Sequence, residues 1–150
     1  MKIAVLVARI LLGLMFLVFG LNGFLNFLHM PMPPGPAGQY LGVLFVSHYL
    51  HAVMLVELIG GILLLSGQFV PLALVLLGPV IFNILLFHTF LFPAGFPPAL
   101  FATLLWFIVF YGVRKAFAGI FAQKVTISSG TIERSAPDSG IGDGIQHIGQ

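Results

Sequence analysis

The sequence predicts an all-α polytopic membrane protein, a four-helix transmembrane bundle whose two termini both lie in the cytoplasm. Composition is the first reason, because 59% of the 150 residues are hydrophobic and only 7% are charged, against about 25% charged in soluble domains. A soluble core of this length cannot enclose so much apolar surface, so lipid must solvate most of it. The second reason is that the chain contains four apolar segments, each near the roughly 20 residues that cross a bilayer.

The placement of basic residues orients the bundle and is the third observation. Basic residues lie at the start of the first apolar segment and after the last one, and the loops between the segments carry none. These residues are Lys2, Arg9, Arg114, Lys115 and Lys124. Because positive residues favour the cytoplasmic side, both termini are expected inside, in agreement with four crossings. The chain is therefore expected to be a multi-pass protein of the cell inner (plasma) membrane.

The first helix is predicted over about residues 3–25. Its basic start and apolar run resemble a signal peptide, but Arg9 interrupts the run and no small-residue cleavage site follows it. We therefore interpret this segment as a retained membrane helix. The loop after it, about residues 26–48, is then the largest extracytoplasmic element. Its proline-rich stretch 31–36 cannot be helical, and residues 40–46 are expected to lie along the membrane surface or to re-enter it slightly.

Three more helices follow at about residues 49–66, 69–91 and 98–117. The first of these is closed by the turn Ser66-Gly67-Gln68. Pro79 lies inside the next and is expected to kink it, since proline removes a backbone donor. Pro98 suits the first turn of the last helix.

The chain divides into two parts that differ in composition. Residues 1–120 form the predicted four-helix transmembrane domain. Residues 121–150 contain three of the four acidic residues and many glycines and serines. This polar composition predicts a flexible cytoplasmic tail without a packed core.

Glu57 is the principal candidate for function, because it is the only acidic residue in the first 132 positions and lies within an apolar run. Intramembrane carboxylates are costly and usually face a bundle interior or a polar cavity. Gly60 and Gly61 share its helix face, and glycines allow a second helix to approach closely. The first helix carries a matching stripe of Arg9, Gly13, Gly20 and Gly23. The two stripes are predicted to pack together.

An ion pair between Arg9 and Glu57 is left open by the sequence. From the cytoplasmic ends, Arg9 lies roughly 8 Å deep and Glu57 roughly 14 Å deep. Helical side chains lean toward the amino terminus of their helix, which directs these two away from each other. Snorkelling of Arg9 to the cytoplasmic surface is an equal alternative. Asn83 is the preferred partner of Glu57.

A group of polar residues falls in the predicted outer half of the bundle. Asn22, His48, His51 and His88 lie roughly 22–27 Å from the cytoplasmic ends, and Asn83 lies between that level and Glu57. This asymmetry predicts a polar pocket that opens outward and has Glu57 at its floor. The structural alternatives are a protonated Glu57 bonded to Asn83, an Asn83 that only joins helices, and interfacial histidines. On an ideal helix His88 faces about 140° away from Asn83.

Other chemistries are disfavoured or excluded. The chain has no cysteine, so disulfide exchange, thiolate metal sites and cysteine nucleophiles are excluded. A bis-histidine haem or metal site from His51 and His88 is disfavoured because their spacing matches no metal motif. Copper binding at His29–Met32 is disfavoured because methionine more often provides adaptable apolar surface. The few scattered basic residues do not indicate nucleic-acid binding.

Three segments resemble the DoxX family: Ala8–Gly20, Glu57–Gly61 and Asn83–His88. The resemblance covers about residues 3–120. It implies a small four-helix integral membrane protein of the kind found in bacteria and archaea. Some relatives are linked to quinone-coupled sulfur oxidation or to oxidative-stress complexes. Relatives that use thiols need cysteines, and this chain has none.

The leading hypothesis is a quinone-linked redox subunit, that is, a subunit of an oxidoreductase with a membrane redox partner. Glu57 would be the catalytic proton acceptor, and the ligand-binding residues would be Asn83, His51, His88, Asn22 and Arg9. No metal is assigned, and the bilayer is the expected surrounding. The alternatives are a non-enzymatic carrier or partner-binding scaffold for a small lipophilic molecule, and a purely structural subunit.

Overall fold

The computed structural model describes residues 2–121, and the regular secondary structure of these residues is helical, with no strand among them. The α-helices are α1 (Lys2–Leu25), α2 (Pro36–Val46), α3 (Tyr49–Ser66), α4 (Val70–Phe90) and α5 (Phe96–Val113), and 3-10 turns at Pro93–Gly95 and Arg114–Phe121 flank α5. Four helical segments are long and apolar enough to cross a membrane, namely α1, α3, α4 and α5 with its flanking turns. The predicted all-α four-helix membrane fold is confirmed. The tail at 122–150 lies outside the described residues.

The four long helices form a closed four-sided bundle. α1 packs against α3 and α5, and α4 packs against the same two helices, so that each long helix has two long neighbours. The buried residues of these helices form one apolar core, in which Leu12, Leu64, Leu74, Leu77 and Val109 are fully enclosed. We call the end that carries the start of α3 and the end of α4 the outer end, following the predicted orientation.

Helix α2 modifies the predicted first loop. It is an 11-residue apolar helix that packs on α3 and is too short to span a bilayer. The prediction that residues 31–36 contain no helical residue was wrong at Pro36, which occupies the first turn of α2. Proline is well suited to that position, because its fixed φ matches the helix and its missing N–H needs no partner there. Within this proline-rich stretch, residues 31–35 are non-helical.

The last transmembrane helix also differs from its predicted bounds of 98–117. It begins at Phe96, because Pro97 and Pro98 both fit within the first turn. Its α-helical part ends at Val113, and the chain continues as the 3-10 turn Arg114–Phe121. Helix α3 has the predicted bounds of 49–66. Helix α1 begins one residue earlier than predicted, and α4 is one residue shorter than predicted at each end.

The contact between α1 and α3 is the closest in the bundle and depends on glycine. A methyl group built at Gly20 would lie 2.8 Å from the backbone N of Leu58, and one built at Gly61 would lie 2.7 Å from the backbone N of Leu17. Side chains on either glycine would therefore hold the two backbones apart. The predicted pairing of the stripes is present in the structure. Gly60 differs, since it faces Leu77 of α4.

Pro79 lies inside α4, and the helix continues through it to Phe90. Because proline has no N–H, the carbonyl of Val75 loses its intrahelical donor. Trp106 of α5 contacts this part of α4. Its indole Nε1 donates a hydrogen bond of 3.1 Å to the carbonyl of Leu74, and its ring stacks on Phe110 with centroids 5.2 Å apart. Trp106 thus packs at the α4–α5 interface.

Candidate ligand site around Glu57

Glu57 lies on the buried face of α3, together with Gly60, Gly61 and Leu64. Its side chain is only 8% exposed, and the buried polar residues of the described chain are Glu57 and Asn22. The rest of the buried core is apolar. A carboxyl group therefore lies within the bundle at a depth where water is scarce and where its charged form is costly.

The carboxyl group makes no hydrogen bond and no ion pair to any side chain or backbone group of residues 2–121. The enclosed side-chain polar atoms without a partner in this part of the chain are Arg9 Nε and His51 Nδ1, and the Glu57 oxygens are not among them. The oxygens must therefore keep a small accessible surface. Glu57 is a nearly buried acid whose hydrogen-bonding capacity is available to a ligand.

Arg9 lies away from Glu57. Its guanidinium packs on the backbone of Gly67, the left-handed cap that follows α3. Gly67 is ten residues after Glu57, which corresponds to about 15 Å along a helix. The ion pair that the sequence left open is therefore not formed, and Arg9 instead lies beside the carbonyl end of α3, where a positive charge is favourable. The alternative, snorkelling of Arg9 to the cytoplasmic surface, stays a prediction.

Asn83 also lies away from Glu57, so the predicted contact between the two was wrong. Asn83 is exposed, whereas the buried face of α4 contains Leu74, Leu77 and Ile81. Asn83 follows Ile81 by two residues, and two residues rotate a helix by about 200°. The carboxamide consequently faces outward from the bundle.

His88 faces the bundle interior from α4, because it follows the buried Ile81 by seven residues, or about two turns. The side chain is half-buried and packs on Gly95. Its Nδ1 lies 3.0 Å from the carbonyl oxygen of Phe92. In the tautomer in which Nδ1 donates this bond, Nε2 is left as an acceptor. His88 is therefore held by the turn between α4 and α5 at the outer end.

Asn22 is buried near the end of α1, but both ends of its carboxamide are occupied. Its Oδ1 accepts a 2.6 Å hydrogen bond from the Leu28 backbone N–H, and its Nδ2 donates a 3.3 Å bond to the Leu28 carbonyl. These bonds hold the chain against the bundle where it leaves α1. The geometry gives Asn22 a structural role, and its ligand-binding role stays a prediction.

His51 belongs to an aromatic cluster at the outer end of α1, α2 and α3. Its ring lies 6.0 Å from that of Phe24, 5.6 Å from that of Phe45 and 5.4 Å from that of His48. The ring contacts of His88, in contrast, are with Phe87 and Phe92. The two histidines are not brought into ring contact. Within residues 2–121, no group of three or more His, Asp or Glu side chains is placed to hold a metal ion.

Two surface grooves lie apart from Glu57. One is lined by Gln39, Gly42, Val43, Val46 and Ser47 of α2 and its end. The other runs between α1 and α5 and is lined by residues that include Val5, Leu104 and Tyr111. Neither groove includes an ionisable side chain of the bundle interior. The Glu57 carboxyl remains the chemical centre of the candidate site on the basis of its burial and its lack of a partner.

The sequence model of the DoxX family matches residues 4–92, which span α1 to α4 and include Glu57. The chain belongs to the DoxX family. It matches none of the curated proteins and none of the solved structures with which it was compared. The match ends before α5. In this DoxX protein the place of α5 in the bundle is therefore known from the structure and not from the family match. Membership supports a multi-pass membrane protein in contact with the lipid bilayer.

Sequence reasoning missed the contribution of α2 to the surroundings of His51. Phe45 of α2 and Phe24 of α1 flank the imidazole, and Tyr40 of α2 stacks on Phe87 of α4 with centroids 5.8 Å apart. The apolar run at 40–46 was the available signal for a helix in this loop. Its contacts could not be predicted, because they depend on how α2 folds back on the bundle.

Proposed function

We propose that this DoxX protein is a quinone-linked redox subunit in which Glu57 accepts a proton from a bound quinol. The observation that carries the proposal is the carboxyl group itself: it is 8% exposed, lies in an apolar core and has no partner among residues 2–121. Intramembrane acids that face a bundle interior are commonly part of proton relays. A lipophilic ligand can reach such a depth from the bilayer.

Oxidation of a quinol to a quinone releases two protons and two electrons. In the proposed reaction Glu57 accepts one proton as the O–H bond of the quinol breaks, and the second proton leaves toward the outer surface. The two electrons pass to a membrane redox partner protein, which is part of the proposal. General-base catalysis by a positioned carboxylate contributes about 10²–10⁴-fold to a rate.

The experiment has two steps and uses the full chain purified from its native membrane. Mass spectrometry of the lipid extract first tests for a co-purified quinone. Infrared difference spectra of the protein with a long-chain quinone, recorded as the quinone is reduced and reoxidised, then test for a carboxyl band that changes with the redox state. The proposal expects this band in the wild-type protein and its loss in Glu57→Gln, which has nearly the same volume.

The control is Thr103→Val, because the Thr103 hydroxyl on α5 is already bonded to the carbonyl of Ala99 at 2.8 Å. This variant should keep the redox-linked carboxyl band. A quinone that binds without any change at Glu57 would contradict the proton-acceptor role. Circular dichroism of Glu57→Gln separates loss of the band from loss of folding.

A non-enzymatic carrier of a small lipophilic molecule is the second candidate. The observation that favours it is that the backbone of Leu28 occupies the Asn22 carboxamide and the backbone of Phe92 occupies Nδ1 of His88. Neither side chain bonds to Glu57, so Glu57 is an acid without a hydrogen-bonded catalytic partner among residues 2–121. A co-purified lipid that undergoes no redox change and binds at least tenfold more weakly to Glu57→Gln would support the carrier.

A further inference from the structure

Asn83 is an exposed carboxamide on a transmembrane helix. It lies within α4, seven residues before the helix ends at Phe90, and no residue of the described chain bonds to its side chain. The side chains exposed around it on α4 are apolar, including Phe82 at 63% and Leu86 at 40% exposure. Lipid tails offer no donor or acceptor, so a carboxamide left among them keeps its polar groups unbonded.

Hydrogen-bonding complementarity favours a second copy of this chain as the partner of this group. A carboxamide has an N–H donor and a C=O acceptor, so two copies related by a two-fold axis can exchange both bonds. Copies of one chain enter the membrane in the same orientation, which places Asn83 at the same depth in each. An axis along the membrane normal therefore brings Asn83 opposite Asn83. Asparagine side chains are known to hydrogen-bond across transmembrane helices.

We propose that the outward face of α4 is a homodimer interface in which Asn83 pairs with Asn83 of a second copy. The exposed apolar side chains of Val75, Phe82, Leu86 and Phe90 share this outward side of α4 with Asn83 and form the rest of the contact. The interface is separate from Glu57, which faces the interior of its own bundle.

Cysteine cross-linking in native membranes tests the interface, since the chain has no cysteine of its own. Leu86→Cys keeps Asn83 and lies one turn from it, and this variant is expected to form disulfide-linked dimers under mild oxidation. The control is Leu104→Cys on α5. Leu104 is also an exposed leucine of a transmembrane helix, at 53% exposure, and this variant is expected to remain monomeric.

Removal of the carboxamide gives the decisive comparison. Asn83→Leu in the Leu86→Cys background is expected to weaken dimerisation about tenfold, which corresponds to roughly 1.4 kcal/mol. Thr89→Val in the same background is the control, because the exposed Thr89 hydroxyl already bonds to the carbonyl of Leu85 at 2.7 Å, and it should leave cross-linking unchanged. Glu57→Gln should also leave cross-linking unchanged.

Three results would overturn the proposal. They are a Leu86→Cys protein that does not cross-link to itself, an Asn83→Leu variant that dimerises as well as its parent, and cross-links at Leu86→Cys that join only a different protein. Asn83 is exposed, so its replacement by leucine is not expected to disturb folding, and Trp106 fluorescence checks this directly.

Discussion

Replacing Gly61 by alanine is expected to destabilise the bundle, because the added methyl group meets backbone atoms of α1. It would lie 2.7 Å from the backbone N of Leu17 and 2.9 Å from the carbonyl oxygen of Gly13. Neither atom belongs to a flexible side chain that could rotate away. The two helices must therefore separate locally by roughly 0.7 Å to restore an ordinary contact, and a gap of that size forfeits a quarter to a half of the dispersion energy of each affected atom pair.

The net effect follows from two opposing contributions. Overpacking of a well-packed interior costs about 1–3 kcal/mol, and replacing glycine by alanine within a helix contributes up to about 1 kcal/mol in the opposite direction. Because the clash is with backbone atoms, the upper end of the overpacking range applies, and a cost of about 3 kcal/mol less a gain of about 1 kcal/mol means that Gly61→Ala should lower the free energy of unfolding by about 2 kcal/mol. Gly78→Ala is the matched control on α4, because its methyl group would meet only Trp106 Cζ2 at an ordinary 3.6 Å.

Unfolding in mixed micelles, with increasing sodium dodecyl sulfate and helix content followed by circular dichroism, measures the difference. The control should unfold at the wild-type midpoint or slightly above it, while Gly61→Ala should unfold earlier. If the two variants are equally stable, the close approach of α1 and α3 does not determine the stability of the bundle, and the reasoning is refuted.

Two other changes test single hydrogen bonds of the bundle. Trp106→Phe removes the indole donor to the Leu74 carbonyl and should cost about 1 kcal/mol in the same unfolding assay; a variant as stable as the wild type would show that this bond contributes nothing. Asn22→Leu removes both bonds to Leu28 and should raise the hydrogen-exchange rate of the Leu28 amide about tenfold, as expected for a loss of roughly 1.4 kcal/mol; unchanged exchange would contradict the structural role of Asn22.

The pairing of α1 with α3 could be predicted from sequence because small residues repeat on one face of each helix. Gly13, Gly20 and Gly61 mark the surfaces that can approach closely, and the structure brings them together. The pattern could not assign Gly60, which lies beside Gly61 but faces Leu77 of α4. Adjacent residues on a helix differ by about 100°, so one glycine pair can face two different neighbours.

The residues around Glu57 were harder to predict. Asn83 and His88 were both candidates, and periodicity showed that they face different directions without showing which one faces inward. The buried face of α4 decides this, because Leu77 and Ile81 place His88 inside and Asn83 outside. Arg9 was undecided for a similar reason, since its long side chain can extend in either direction until the position of Gly67 is known.

The sequence by itself determined that this is a membrane protein with four spans, and it identified Glu57 as an acid within one of them. Hydropathy and charge are properties of each segment alone, so they need no knowledge of its neighbours. Only the tertiary structure decided which polar side chains meet. The rotation of each helix about its axis follows from packing against other helices, and that rotation leaves Glu57 without a partner among residues 2–121 and turns Asn83 to the outside of the bundle.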